Sequence, residues 1–238
     1  MRSRKFTWFL LILLMSVFAV SSLLFADIYV EQQMKTSAMM GKPGRTTTQR
    51  IWITKDMMRS EDVGSKQVMI VRLDKNLIWM IDLERKTYRE LTIDEFKQMM
   101  GMARAMMRGE KAEVELTETG KKMKIKGWNC YEVRLTMKGG TNMETSMWLT
   151  KDIAIPWEEY QKYMELFGGQ FYGPKVMEKW KNLRGYPIRS HGKMNMMGME
   201  METETEVMTV RTTPIPKSVF ELPPGLTKEE ASVPKMPH

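Results

Sequence analysis

The stretch HGKMNMMGMEMETETEVM, residues 191–208, holds one histidine and six methionines, the densest set of chemically able side chains in the chain. Thioethers and imidazole are soft donors, so His191, Met194 and Met196 could supply three ligands to Cu(I) or Ag(I). The same stretch carries Glu200, Glu202, Glu204 and Glu206 at every second position, a spacing that sets carboxylates in a line instead of converging them on one divalent ion. Cys130 with His191 is the one pair able to act as nucleophile and base. Yet Cys130 alternates away from the apolar face of Tyr131, Val133 and Leu135, and no helix N-terminus lies beside it to favour the thiolate. Phosphate-binding glycine loops, zinc-ligand spacing and nucleophile elbows are absent from the 238 residues. The residues therefore predict no catalytic group, no resident metal and no cofactor.

Read at period two, the stretch changes meaning. From Met197 the odd positions are Met197, Met199, Met201, Thr203, Thr205 and Val207, and the even ones are Gly198 and then the four glutamates. A strand sends alternate side chains to opposite faces, so this pattern predicts one apolar face and one acidic, solvated face. Methionine is also abundant elsewhere, 27 in all, which makes clusters unexceptional.

The same alternation runs through the whole chain. It predicts strands near Ile28–Met34, Thr47–Met58, Val68–Leu73, Leu77–Leu83 and Thr87–Leu91. Further strands are expected near Ala112–Leu116, Met123–Ile125, Trp128–Met137, Met143–Thr150, Tyr186–Ser190 and Met194–Arg211. Gly41-Lys42-Pro43-Gly44, Asp74-Lys75-Asn76, Thr119-Gly120 and Gly139-Gly140 read as turns. Thr92-Ile93-Asp94-Glu95 is a capping box, and Ile93, Phe96, Met99, Met100, Ala103, Met106 and Met107 follow at helical spacing as far as Gly109. Two shorter helices are expected, one after Pro156 and one over Lys175–Leu183. The pattern predicts an antiparallel α+β domain whose sheet needs cover, the Thr92–Gly109 helix being the obvious cover.

At the N-terminus, Arg2, Arg4 and Lys5 precede the uncharged run Phe6–Ala26, and small residues lead up to Asp27. Residues 1–26 are read as a signal peptide, the alternative being an uncleaved inner-membrane anchor, since the run is long enough to span a bilayer. Either way the chain is expected to be exported, to the periplasm. Removing those residues lowers the formal charge from +8 to about +5, an ordinary solvated surface or a weak attraction to anionic membranes. No basic run of the kind that binds nucleic acid is present. With Cys130 the only cysteine, no intrachain disulfide supports the fold. Residues 27–222 are expected to form the domain and 223–238 a Pro-containing tail.

Five segments carry a resemblance: ITKDMMRSED from Ile53, MIDLERKTYREL from Met80, KIKGWNCYEVRL from Lys124, MWLTKDI from Met147, and METETEVMTVRTTPIPKSVFELPPGL from Met201. Together they resemble a domain-of-unknown-function family (number 4412) of exported bacterial proteins, itself related to the lipoprotein-carrier LolA/LolB-like fold. The resemblance implies a half-barrel, a curved antiparallel sheet wrapped over one long and two shorter helices, and no catalytic residues. It also implies an apolar cavity, which Phe96, Met99, Met100, Ala103, Met106 and Met107 on the helix and Met197, Met199 and Met201 on the strand are expected to line, the alternative being that these side chains fill a closed core. The implied partner is an apolar small molecule, a lipid or a lipoprotein acyl chain. Two other readings stay open: a Met-rich Cu(I)/Ag(I) binder, and an envelope structural or sensor protein that recognises another protein.

Overall fold

The structure, a computed structural model, describes residues 27–38, 43–108, 113–139, 141–196 and 199–229. Twelve strands form one sheet: β1 (Ile28–Thr36), β2 (Arg45–Ile53), β3 (Met57–Asp62), β4 (Gln67–Arg72), β5 (Leu77–Asp82), β6 (Thr87–Thr92), β7 (Glu113–Ile125), β8 (Trp128–Lys138), β9 (Thr141–Thr150), β10 (Tyr186–Met196), β11 (Met199–Thr212) and β12 (Thr227–Lys228). The order across the sheet is β12-β6-β5-β4-β3-β2-β1-β11-β10-β9-β8-β7. The sheet is open and curved. Every pairing is antiparallel except β12 on β6.

Three helices pack on one face: α1 (Ile93–Arg108), α2 (Trp157–Tyr172) and α3 (Pro174–Asn182). The capping box forms as its spacing predicts. The Thr92 hydroxyl accepts from the Glu95 amide at 3.2 Å, and the Glu95 carboxylate accepts from the Thr92 amide at 2.7 Å. Phe96 meets Phe167 edge-on at 5.7 Å and both join the core built on Ile28, Val30, Ile53, Val71 and Tyr163. The buried Tyr163 hydroxyl donates to the Thr54 carbonyl. Further along the sheet, Val176 and Trp180 of α3 pack on Leu116, Val133, Leu135 and Leu149.

Three local expectations change. The predicted strand over Thr47–Met58 is two strands, because Thr54 closes a tight turn. Its amide donates to the Met57 carbonyl at 2.8 Å, and its hydroxyl accepts from the Met57 amide at 3.1 Å. The two strands expected either side of Thr119-Gly120 are one strand, β7, which absorbs the glycine (φ 79°) in a bulge between Glu118 and Lys122. The strand expected over Met194–Arg211 is two paired strands: Met194 on β10 stands opposite Met201 on β11, and Met196 opposite Met199.

The sheet has a second apolar side. Val68, Ile70, Trp79 and Ile81 are buried on the outer face of β4 and β5 under Phe220, with Ile215, Val219 and Leu222 packed around them. The segment after β11 is a strap: Asp27 accepts from the Ile215 amide, Arg72 donates to the Phe220 carbonyl and the Glu221 carboxylate, and β12 adds to the edge of β6. Residues 223–229 belong to the sheet's cover, Leu226 packing beside Phe220 and Thr227–Lys228 pairing with β6, and residues 230–238 of the expected tail lie outside the described residues. Capping an edge strand this way blocks edge-to-edge pairing with other chains.

Candidate functional site

The helices cover only one end of the strands. Along β1, Ile28 and Val30 are fully buried, whereas Gln32, Met34 and Thr36 on the same face are half-exposed. β11 repeats the gradient, from buried Val207 to half-exposed Thr205, Thr203 and Met201, and β10 repeats it from Ile188 to Ser190, Gly192 and Met194. On β9, Leu149 and Met147 are buried and Thr145 and Met143 are not. Cross-strand register joins these positions: Met34 stands opposite Thr205, Thr205 opposite Ser190, and Ser190 opposite Met147. The inner face therefore has a closed end under helices and an open end.

The open end is uncharged from β8 to β1. Its side chains are hydroxyls, amides and thioethers, and charge bounds it on both sides: the Arg45–Asp62 pair at 3.1 Å on β2 and β3, and Glu118 on β7 opposite Val133. Between the Arg45–Asp62 pair and β1 runs an amide ladder, in which Gln32 donates to Gln49 and Gln49 to Ser60. The outer face at the same level is the reverse. Lys193 pairs with Glu202 at 2.7 Å, Arg189 and Lys126 each with Glu206 at 3.2 Å, and Lys35 with Glu204 at 3.8 Å. Lys193 beside it holds the Glu202 carboxyl below its ordinary range. Alternation of side chains along each strand produces this segregation directly.

Two cavities flank the region. One, of about 310 Å³, is an outer-face groove lined by Lys35, Arg189, His191, Glu204 and Glu206. The other, of about 410 Å³, sits at the rim where β8–β11 end, and Met137, Met143 and Met194 line it with Asn142, Lys193 and Glu200.

The predicted lining residues distribute as follows. Phe96 is in the filled core at the closed end, Met100 packs against that core, and Met99 is exposed. Ala103, Met106 and Met107 lie on the α1 backbone, their side chains outside the described residues, and Met197 lies outside them altogether. The α1 chain enters from Thr92, opposite Leu77 in the covered part of the sheet, and is followed by β7, whose Glu113 stands opposite Lys138 at the open end. Met199 pairs with Met196 through its backbone, and Met201 stands half-buried opposite Met194.

His191 does not join Met194. It occupies the outer face, 3.7 Å from Glu202. Nor does it approach Cys130: it is level with Ser146 and so with Arg134, four residues from Cys130 along β8 and two strands away, roughly 13 Å along the strand alone. Cys130 itself is buried in the core, and desolvation pushes its thiol above the ordinary range, away from reactivity. Among the described residues no three His, Cys, Asp or Glu side chains cluster as a metal site. Met143 and the Gln32–Gln49 ladder were not singled out from the sequence. Their membership in the open end depends on pairing between strands far apart in the chain, which period two does not reveal.

A family model described as a domain of unknown function (DUF4412) matches residues 32–226. Three solved structures are similar in fold. An uncharacterized conserved protein from Thermus thermophilus is 9% identical, with 92% of this chain and 98% of that one covered and a TM-score of 0.48. A DUF1329 family protein from Desulfovibrio piger is 11% identical over 88% and 94% of the two chains, with a TM-score of 0.36. The lipoprotein LppX of Mycobacterium tuberculosis is 8% identical over 86% and 94%, also at 0.36. No curated protein sequence matches significantly. Among the described residues no helix is long and apolar enough to cross a membrane.

Proposed function

The chain belongs to the DUF4412 family, and we propose that it is an exported, non-enzymatic protein that binds an apolar ligand, a lipid or a lipoprotein acyl chain, at the open end of its inner sheet face. One observation carries this reading: from β8 to β1 the uncovered inner positions are all uncharged, while the outer positions of the same strands are crowded with Lys, Arg and Glu. An exposed face of a soluble protein normally carries charge, and a curved uncharged tract beside a packed core is where apolar surface can leave water. Methionine suits ligands of varied shape, because its unbranched thioether adapts to irregular contacts. The proposed ligand-lining set is Met99, Met100, Ala103, Met106 and Met107 from α1 with Met197, Met199 and Met201 from β10–β11, while Phe96 belongs to the packed core at the closed end. Residues 1–26 would direct the chain to the periplasm, or hold it at the inner membrane if uncleaved.

Mass spectrometry of an organic extract of the purified protein tests this. Co-purified lipids or fatty acids, displaced by a fluorescent hydrophobic probe that binds with about 1:1 stoichiometry, are the expected result. A ligand-free preparation that binds no such probe sinks the reading.

A further inference from the structure

The register of the sheet assembles a group of thioethers that lies apart in the sequence. Met143 on β9, Met194 on β10 and Met201 on β11 stand directly opposite one another, and Met137 on β8 stands opposite Met143. All four share the inner face. Adjacent strands are about 4.8 Å apart, so the two outer members of the Met143–Met194–Met201 row are about 10 Å apart at their backbones, with Met194 between them. Side chains as long as methionine's can lean from both sides over the central one.

Packing alone does not account for this choice of residue. Met194 and Met201 belong to none of the three core clusters, and Met143 touches only the margin of the one under α3. All three are half-exposed. On the same four strands the buried inner-face positions include Val133, Leu135, Leu149, Ile188 and Val207 as well as Met137 and Met147. One step inward from the row the residues are Thr145, Gly192 and Thr203, drawn so close that a side chain at Gly192 would come 3.0 Å from the Thr203 hydroxyl. Methionine thus occupies each of four successive opposed rim positions.

We propose that Met143, Met194 and Met201, with Met137 beside them, form a binding site for a soft monovalent cation, Cu(I) or Ag(I). Thioethers are neutral, polarisable donors that select such ions and leave hard divalent cations unbound. Alternation places the four methionines on the inner face, and Asn142, Lys193 and Glu200 reach the rim cavity beside them. The ligand set differs from that suggested by the local sequence, because His191 faces outward and Met143 comes from a separate strand well upstream of Met194. The site stands independently of apolar-ligand binding, since it needs only the register of β8–β11.

Titration of the full chain with Ag(I) alone in chloride-free buffer, followed by calorimetry and by the methyl resonances of carbon-13-labelled methionine, tests the proposal. The first equivalent should shift the methyls of Met137, Met143, Met194 and Met201. The variant Met143→Leu/Met194→Leu/Met201→Leu keeps side-chain volume and folds, and it should lose at least tenfold in affinity for that equivalent. A control with the exposed Met80, Met123 and Met208 changed to leucine should bind as the parent does. Unchanged affinity in the first variant, or equal loss in the control, overturns the site. The Ag(I) affinity and the methionine methyl shifts alone decide the cation site, whatever the hydrophobic probe does.

Discussion

Arg72 joins two parts of the molecule that lie far apart in the chain. Its guanidinium is buried, yet it donates to Asp74 at 2.7 Å, to Glu221 at 2.6 Å and to the Phe220 carbonyl at 3.3 Å. Those carboxylates keep the guanidinium charged, and Arg72 in turn holds the Asp74 carboxyl below its ordinary range. Replacing Arg72 by leucine should release the strap and cost about 2–3 kcal/mol, less than a fully buried pair because both acids are partly exposed. Hydrogen exchange checks it: amides of residues 215–229 should lose protection in the variant before those of β1 and β2 do. Glu132 offers a second test, with a defined sign. It is buried on the outer face and accepts from Ser146 at 2.6 Å and Thr119 at 2.7 Å, which hold its carboxyl below the usual 4.5. Its contribution is therefore fully present above pH 4.5 and is lost as pH falls through the lower folded value. Denaturation of the parent and of Glu132→Gln should give a stability gap that is constant above about pH 5 and narrows on acidification. A gap independent of pH would mean that the carboxylate is not what these hydroxyls stabilise.

Elements differ in how much of their signal is local. The α1 start is wholly local: Thr92 and Glu95 exchange hydrogen bonds three residues apart, so the motif reads directly as a helix N-terminus. Thr92→Ala should destabilise the protein by about 1 kcal/mol, measured by urea unfolding, with faster exchange in the first turn of α1 before any global change. The strands are local in the same sense, since alternation at Met201–Val207 separates an acidic face from an apolar one without reference to neighbours. What alternation lacks is the partner. The two-sided burial of β4 and β5 is recorded as Val68, Ile70 and Val71 close together, but only the strap, far downstream, explains why both faces can be apolar. The methionine row is invisible for the same reason: Met143 and Met201 meet only through β10. Of the expected lining residues, Phe96 and Met201 prove to belong to different ends of the inner face. Helical spacing and strand parity define a face, and neither says how far along it the cover extends.

At the scale of the whole molecule, the strap-covered packing and the uncharged open tract lie on different faces and at different ends of the sheet. Phe220 is fully buried against Ile70, Trp79 and Ile81 on the outer side, while Thr203 is half-exposed on the open inner side between Gly192 and Thr36. Phe220→Ala should leave a cavity costing about 3–5 kcal/mol under a strap still held by Ile215, Val219 and Leu222. Thr203→Glu should cost little in stability, because its carboxylate can reach water, yet it plants a charge in the uncharged tract. Apolar surface bound there would have to be brought against an ionised group, which is unfavourable without a partner. Thermal unfolding and hydrophobic-probe titration on the same samples should therefore move in opposite patterns: Phe220→Ala lowers the melting temperature and binds probe with parental affinity below its transition, whereas Thr203→Glu melts like the parent and binds at least tenfold more weakly. The double variant should show both losses added, since the sites share no partners. Probe binding that follows stability in all three variants would mean that the probe reports loosened core, and that the open end holds no ligand of its own.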